Sequence, residues 1–118
     1  MPKQYLEPIT PIVSQLGAGN ANVLANIPLN YHYEIVSVLI SNTANAQRTF
    51  RLHLHPTAIA ASQANALAYD VPINANTVYN MPFGAPIVIP AGYRITGSAS
   101  IAASVNVILT GYIVSDVG

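Results

Sequence analysis

Residues 86–114, PIVIPAGYRITGSASIAASVNVILTGYIV, hold three runs of β-forming residues and a single formal charge, Arg94. A Pro-Ala-Gly sequence separates the first two: Pro90 presets φ and Gly92 supplies the positive φ of a type II turn. The small-residue loop GSASIAAS separates the second from the third. In the last run Val105, Val107, Leu109, Gly111 and Ile113 share one face of a strand, while Asn106, Ile108, Thr110, Tyr112 and Val114 share the other. This two-residue periodicity recurs along the chain, and it limits the fold more than any other feature. No window places apolar residues at i, i+3, i+4 and i+7 behind a capping box, so helix signals are nearly absent.

Other strands follow the same logic. NVLANIPL (22–29) is a short strand with a break at PLN, and YEIVSVLISN (33–42) is a longer one whose centre is almost continuously apolar. Such a run suits a strand covered on both faces, or one whose outer face meets another chain. NTANAQ (42–47) has Asn-rich hairpin chemistry. RTFRLHLH (48–55) alternates cleanly, with Phe50, Leu52 and Leu54 on one side and Arg51, His53 and His55 on the other. An Ala-rich stretch at 57–66 offers one helical turn or a loose crossover, before further strands near 66–71 and 76–83. About eight short strands with turn signals every 8–12 residues imply an all-β fold: an antiparallel β-sandwich, jelly-roll-like. The Pro-spaced residues 1–16 read as an extended N-terminal arm lying across a neighbouring subunit, and 17–118 as a single sandwich domain.

Charged residues make up 7% of the chain, against about 25% in an ordinary domain, and the net charge is zero. Nucleic-acid binding and polybasic membrane contact need clustered Lys and Arg, so neither is expected. The first residues lack the features of a signal peptide, no run of about twenty apolar residues provides a membrane span, and a soluble protein is expected. With no Cys, neither disulfides nor Cys-ligated metal is possible. A sparse charge set beside 52% hydrophobic residues leaves two explanations. Either the surface is neutral and amide-rich, or partner subunits cover much of it. The second makes this an assembly protein.

Chemistry has few candidates. His53 and His55 project from one strand face as a metal pair could, but a site needs three or four ligands and no spacing supplies the rest. No nucleophile elbow, paired-carboxylate spacing or phosphate loop is present, so neither an enzyme nor a cofactor is expected. Seven Tyr, among them Tyr31, Tyr33, Tyr79 and Tyr93, leave a saccharide platform open, although tyrosines with buried rings and wet hydroxyls more often mark interfaces.

The stretch NTVYNMPFGAPIVIPAGYRITGSASIAASVNVILTGYIV, preceded by EIVSVLISNTANAQRTFRLHLHP, resembles small structural proteins of tailed bacteriophages over roughly residues 20–114. It departs from their pattern at Tyr93 and Arg94, where an acidic or polar residue is common. The resemblance implies a non-enzymatic virion component assembled in the host cytoplasm. Its most direct reading is a capsid decoration (cement) protein, often homotrimeric, that contacts the major capsid protein or neighbouring virion proteins. The alternative is a neck, tail or fibre module that binds a host glycan or receptor. The expected contact surface comprises Tyr5, Leu6 and Ile9 of the arm, with Val36, Val38, Ile40, Ile108 and Tyr112 on the outer faces of two long strands.

Overall fold

The computed structural model of the chain describes residues 6–18, 22–81 and 86–115. Within them lie β1 (Leu6–Pro8), β2 (Ile12–Gln15), β3 (Asn22–Asn26), β4 (Tyr31–Asn42), β5 (Arg48–Pro56), β6 (Ala66–Ile73), β7 (Thr77–Asn80), β8 (Ile87–Ile89), β9 (Tyr93–Ala99) and β10 (Val105–Ser115). The only helical element among the described residues is a 3-10 turn at Gln63–Asn65. No helix of the described residues is long and apolar enough to cross a membrane.

The ten strands fill eight positions, because β1 and β2 both pair with β10, and β7 and β8 both pair with β4. Proline lies at each division: Pro8 and Pro11 at the first break and Pro86 just before β8, and Pro cannot donate to a ladder. Pairing is nested. The first position pairs with β10, β3 with β9, β4 with β7 and β8, and β5 with β6, as in one long antiparallel hairpin. That hairpin is rolled up so that β10 also pairs with β4, and β9 with β5. The resulting strand orders, (β1, β2)-β10-β4-(β7, β8) and β3-β9-β5-β6, are those of a jelly roll. The chain is therefore an all-β antiparallel sandwich, as its periodicity implies.

Side-chain alternation fills the space between the sheets. Ile35, Val38, Ile40, Val105, Val107 and Leu109 of the first sheet meet Phe50, Leu52 and Ile95 of the second, all nearly or wholly inaccessible. Each such side chain contributes roughly 1.5–3 kcal/mol through burial. Asn42, also buried, ties the layers together with polar bonds. Its Nδ2 donates to the Ile73, Asn74 and Ala46 carbonyls at 3.0, 3.2 and 2.9 Å, and its Oδ1 accepts from the Ala44 amide at 3.0 Å. One side chain thus closes the 43–47 turn and joins β4 to the end of β6 on the opposite sheet.

The described part of the N-terminal segment lies on its own chain. Leu6 to Pro8 pair with Val114 to Tyr112, Ile12 to Gln15 pair with Leu109 to Asn106, and Leu16 is fully buried in the core. The Pro-Ala-Gly turn forms with Gly92 at φ +81°, and the Tyr93 amide donates to the Pro90 carbonyl, so Pro90 opens the turn.

Candidate functional site

The outer face of the first sheet is built by cross-strand register. Val13, Ile108 and Leu39 form one row across β2, β10 and β4; Pro8, Tyr112, Glu34 and Val88 form another. Val13 is 69% exposed and Val78, near the sheet's other edge, 66%. Ile108 and Val88 are also exposed, and the first row carries no charge. Glu34, beside His32 at 3.2 Å, is the ionic feature of the second.

The expected contact residues divide on this face. Val36, Ile108 and Tyr112 are exposed. Val38 and Ile40 are not; they are core residues, which corrects their assignment to an outer face shared with Val36. The cause is a β-bulge. Thr110 pairs with Ser37 and Gly111 with Ile35, leaving Val36 as the extra residue. Alternation changes phase there, so Ile35 and Val38 both face inward while Val36 turns out. Ile9 packs against the core, Leu6 pairs with Val114 through its backbone, and Tyr5 lies outside the described residues.

The second sheet's outer face is polar and partly roofed. Register places Arg51 beside Ser98, His53 beside Thr96 and His55 beside Arg94, all turned from the core as the alternation of β5 requires. Yet His53 and His55 are only 3% and 2% exposed. His53 lies under the 57–65 crossover, where its Nδ1 donates toward the Ser62 carbonyl at 2.9 Å and Asn65 Oδ1 at 3.1 Å. His55 Nδ1 donates to the Pro56 carbonyl, leaving Nε2 to accept from the Thr96 hydroxyl, each at 3.0 Å. The His53 ring fastens the crossover to the sheet, and the His55 ring ties β5 to β9. No group of three or more potential metal ligands occurs among the described residues. Arg94 donates to the Thr57 carbonyl at the same crossover and borders a small cleft with Val23, Ile59 and Thr96.

Beyond the roof, Arg51 is clamped. A second bulge sets both Tyr69 and Asp70 against it, since Phe50 pairs with Val71 and Leu52 with Ala68. Asp70 adopts φ +51°, a left-handed conformation that Asp, like Asn, tolerates better than most residues with a side chain. Its two carboxylate oxygens accept from Arg51 Nε at 2.6 Å and Nη2 at 3.1 Å, while the Tyr69 ring centre lies 4.1 Å from the guanidinium carbon. The Arg51 hydrogen bonds hold the Asp70 carboxyl below its ordinary value, and Asp70 in turn raises the Arg51 pKa. Thr49, Arg51, Asp70, Ser98, Ala99 and Ser100 line a cleft of about 270 Å³ here. Sequence periodicity places Arg51 on this face, but nothing in Tyr69-Asp70 announces a bulge. The positive φ sits on an aspartate rather than a glycine.

No protein-family model matches the chain, and no curated protein sequence does. Among solved structures it is similar to that of the Gx strain of infectious bursal disease virus, at 19% identity and a TM-score of 0.49, over 98% of this chain and 38% of the other. It is also similar to the VP2 subviral particle of infectious bursal disease virus, at 19% identity and a TM-score of 0.48, over 96% of this chain and 32% of the other. The chain thus spans about a third of the length of the structures it matches.

Proposed function

We propose that the protein is a non-enzymatic structural component of a virion that acts by assembly, as a capsid decoration protein bound to the head lattice as a homo-oligomer. The observation that carries this reading is the outer face of the first sheet. An uncharged row of Val13, Ile108 and Leu39 runs across three strands in a chain with almost no charge to spare for water. Apolar area removed from water contributes about 25 cal/mol per Å², so such a face gains stability when covered. Zero net charge removes the repulsion that keeps copies apart. The jelly-roll topology and the resemblance of residues 20–114 to small tailed-phage structural proteins support the virion setting, and that resemblance, to proteins that are often homotrimeric, is the ground for proposing a trimer.

The role assigned to the protein is mechanical. A symmetric oligomer seated over joints between capsid subunits adds avidity, so individually modest contacts hold the lattice. Light scattering at low micromolar concentration tests the assembly step: a trimer that becomes monomeric on Val13→Lys supports it, and a wild-type monomer refutes it. Electron microscopy of purified particles labelled through an affinity tag on the chain tests the setting. Regularly spaced label on heads is the expected result; label confined to tails or absent from particles overturns the decoration role.

A further inference from the structure

The geometry points to a binding site for a neutral polyhydroxyl ligand of monosaccharide size in the cleft between Arg51, Asp70, Ser98 and Ser100. This inference stands independently of the virion reading.

The cleft has the features of a built site. Ser98 is only 6% exposed, lines the cleft and has no hydrogen-bond partner for its hydroxyl among the described residues. The hydroxyl oxygen reaches the water of the cleft, and that is the direction from which a ligand can bond it. Ser100 Oγ already accepts from the Thr49 amide at 3.0 Å, which leaves its O–H to donate outward. Arg51 is fixed from two sides, by the paired bonds to Asp70 and by the Tyr69 ring. The bulge that fixes it places a non-glycine residue at φ +51°. Bulges that re-aim side chains occur next to functional sites.

Charge selects the ligand class. The guanidinium and carboxylate neutralise each other, so an anion would have to displace Asp70 and a cation would have to displace Arg51. What remains is a rim of alternating donors and acceptors: Arg51 N–H groups, the Asp70 carboxylate, and three hydroxyls from Thr49, Ser98 and Ser100. Vicinal hydroxyls, each a donor and an acceptor at once, match that rim. At about 270 Å³ the cleft lies just below the range typical of drug-sized ligands, so it holds one ring and leaves the rest of a chain outside.

The test is a titration of the full-length, isotope-labelled protein with glucose, galactose, mannose and N-acetylglucosamine, followed by amide chemical shifts, with glucuronate as a parallel arm. The expected result is saturable shifts at Thr49, Arg51, Ser98 and Ser100 for at least one neutral sugar, with a Kd of about 1 mM. Ser98→Val, which fills the cleft, should weaken binding at least tenfold without disturbing shifts elsewhere. Ser100→Ala, at a more exposed position, should weaken it less and guards against a folding defect in the first variant. Absence of saturable shifts with all four sugars, shifts centred elsewhere on the protein, or tighter binding of glucuronate would overturn the proposal.

Discussion

Both sheets carry β-bulges, and the one at Val36 and the one at Tyr69-Asp70 do opposite things. In the first sheet the extra residue is Val36, between the pairs Gly111–Ile35 and Thr110–Ser37; it keeps Ile35 and Val38 in the core and presents an apolar side chain to the outside. In the second sheet the extra residue puts Tyr69 and Asp70 against Arg51 and gathers ionic and aromatic groups into one clamp. The first outer face is left bare and nearly uncharged, whereas the second is roofed by the crossover, hydrogen-bonded and indented by a cleft. The same backbone device, placed in two contexts, makes a surface suited to broad apolar contact and a surface suited to a small polar ligand. The two faces should therefore fail in different ways when altered.

The largest effect is expected at Gly111. A Cβ there would lie 2.1 Å from the Glu34 carbonyl oxygen and 2.9 Å from the Ile35 Cα, so Gly111→Ala must push β10 away from β4. A loss of about 3 kcal/mol in chemical denaturation is the expected outcome. Unchanged stability would show that the first bulge does not depend on this close approach. Next comes Asn42→Ala, which leaves the carbonyls of Ile73 and Ala46 without their donor. It should cost about 2 kcal/mol, measured the same way, and loosen the contact between the sheets near β6.

Ile108→Lys should change the stability of the folded subunit by less than about 1 kcal/mol, because the side chain points outward. Its expected effect is on native mass, and an unaltered oligomer in sedimentation would separate association from this face. The smallest effect belongs to acid. Asp70 has a depressed folded-state pKa, so its contribution is present above the ordinary carboxylate value of 3.8 and disappears as pH falls through the lower folded value. The Arg51 Nε–H resonance should therefore shift only below that value. Movement in the neutral range would contradict the clamp.

Much of the architecture is legible in the sequence because period-two alternation and Pro/Gly/Asn punctuation act locally. The inward set Phe50, Leu52 and Leu54, the Gly92 turn and the 57–65 crossover are all readable in this way. The bulges are not readable. At Val36 an uninterrupted apolar run hides the change of phase, so Val38 and Ile40 look like companions of Val36 when they are core. At Asp70 the deciding event is a backbone conformation with no glycine to mark it. The histidines show a third limit. Alternation places them outside the core correctly, but only the crossover's path reveals that they are covered and bound to backbone.

The central claim is that the outer face of the first sheet is covered by protein. The most direct measurement is the relaxation of methyl groups by a water-soluble gadolinium chelate, at a concentration where the native mass has been established. The account predicts that the methyls of Val13 and Ile108 relax as slowly as those of core Val107, while Leu29, 80% exposed, relaxes fast. If Val13 and Ile108 relax like Leu29, the face is wet and the assembly reading is wrong.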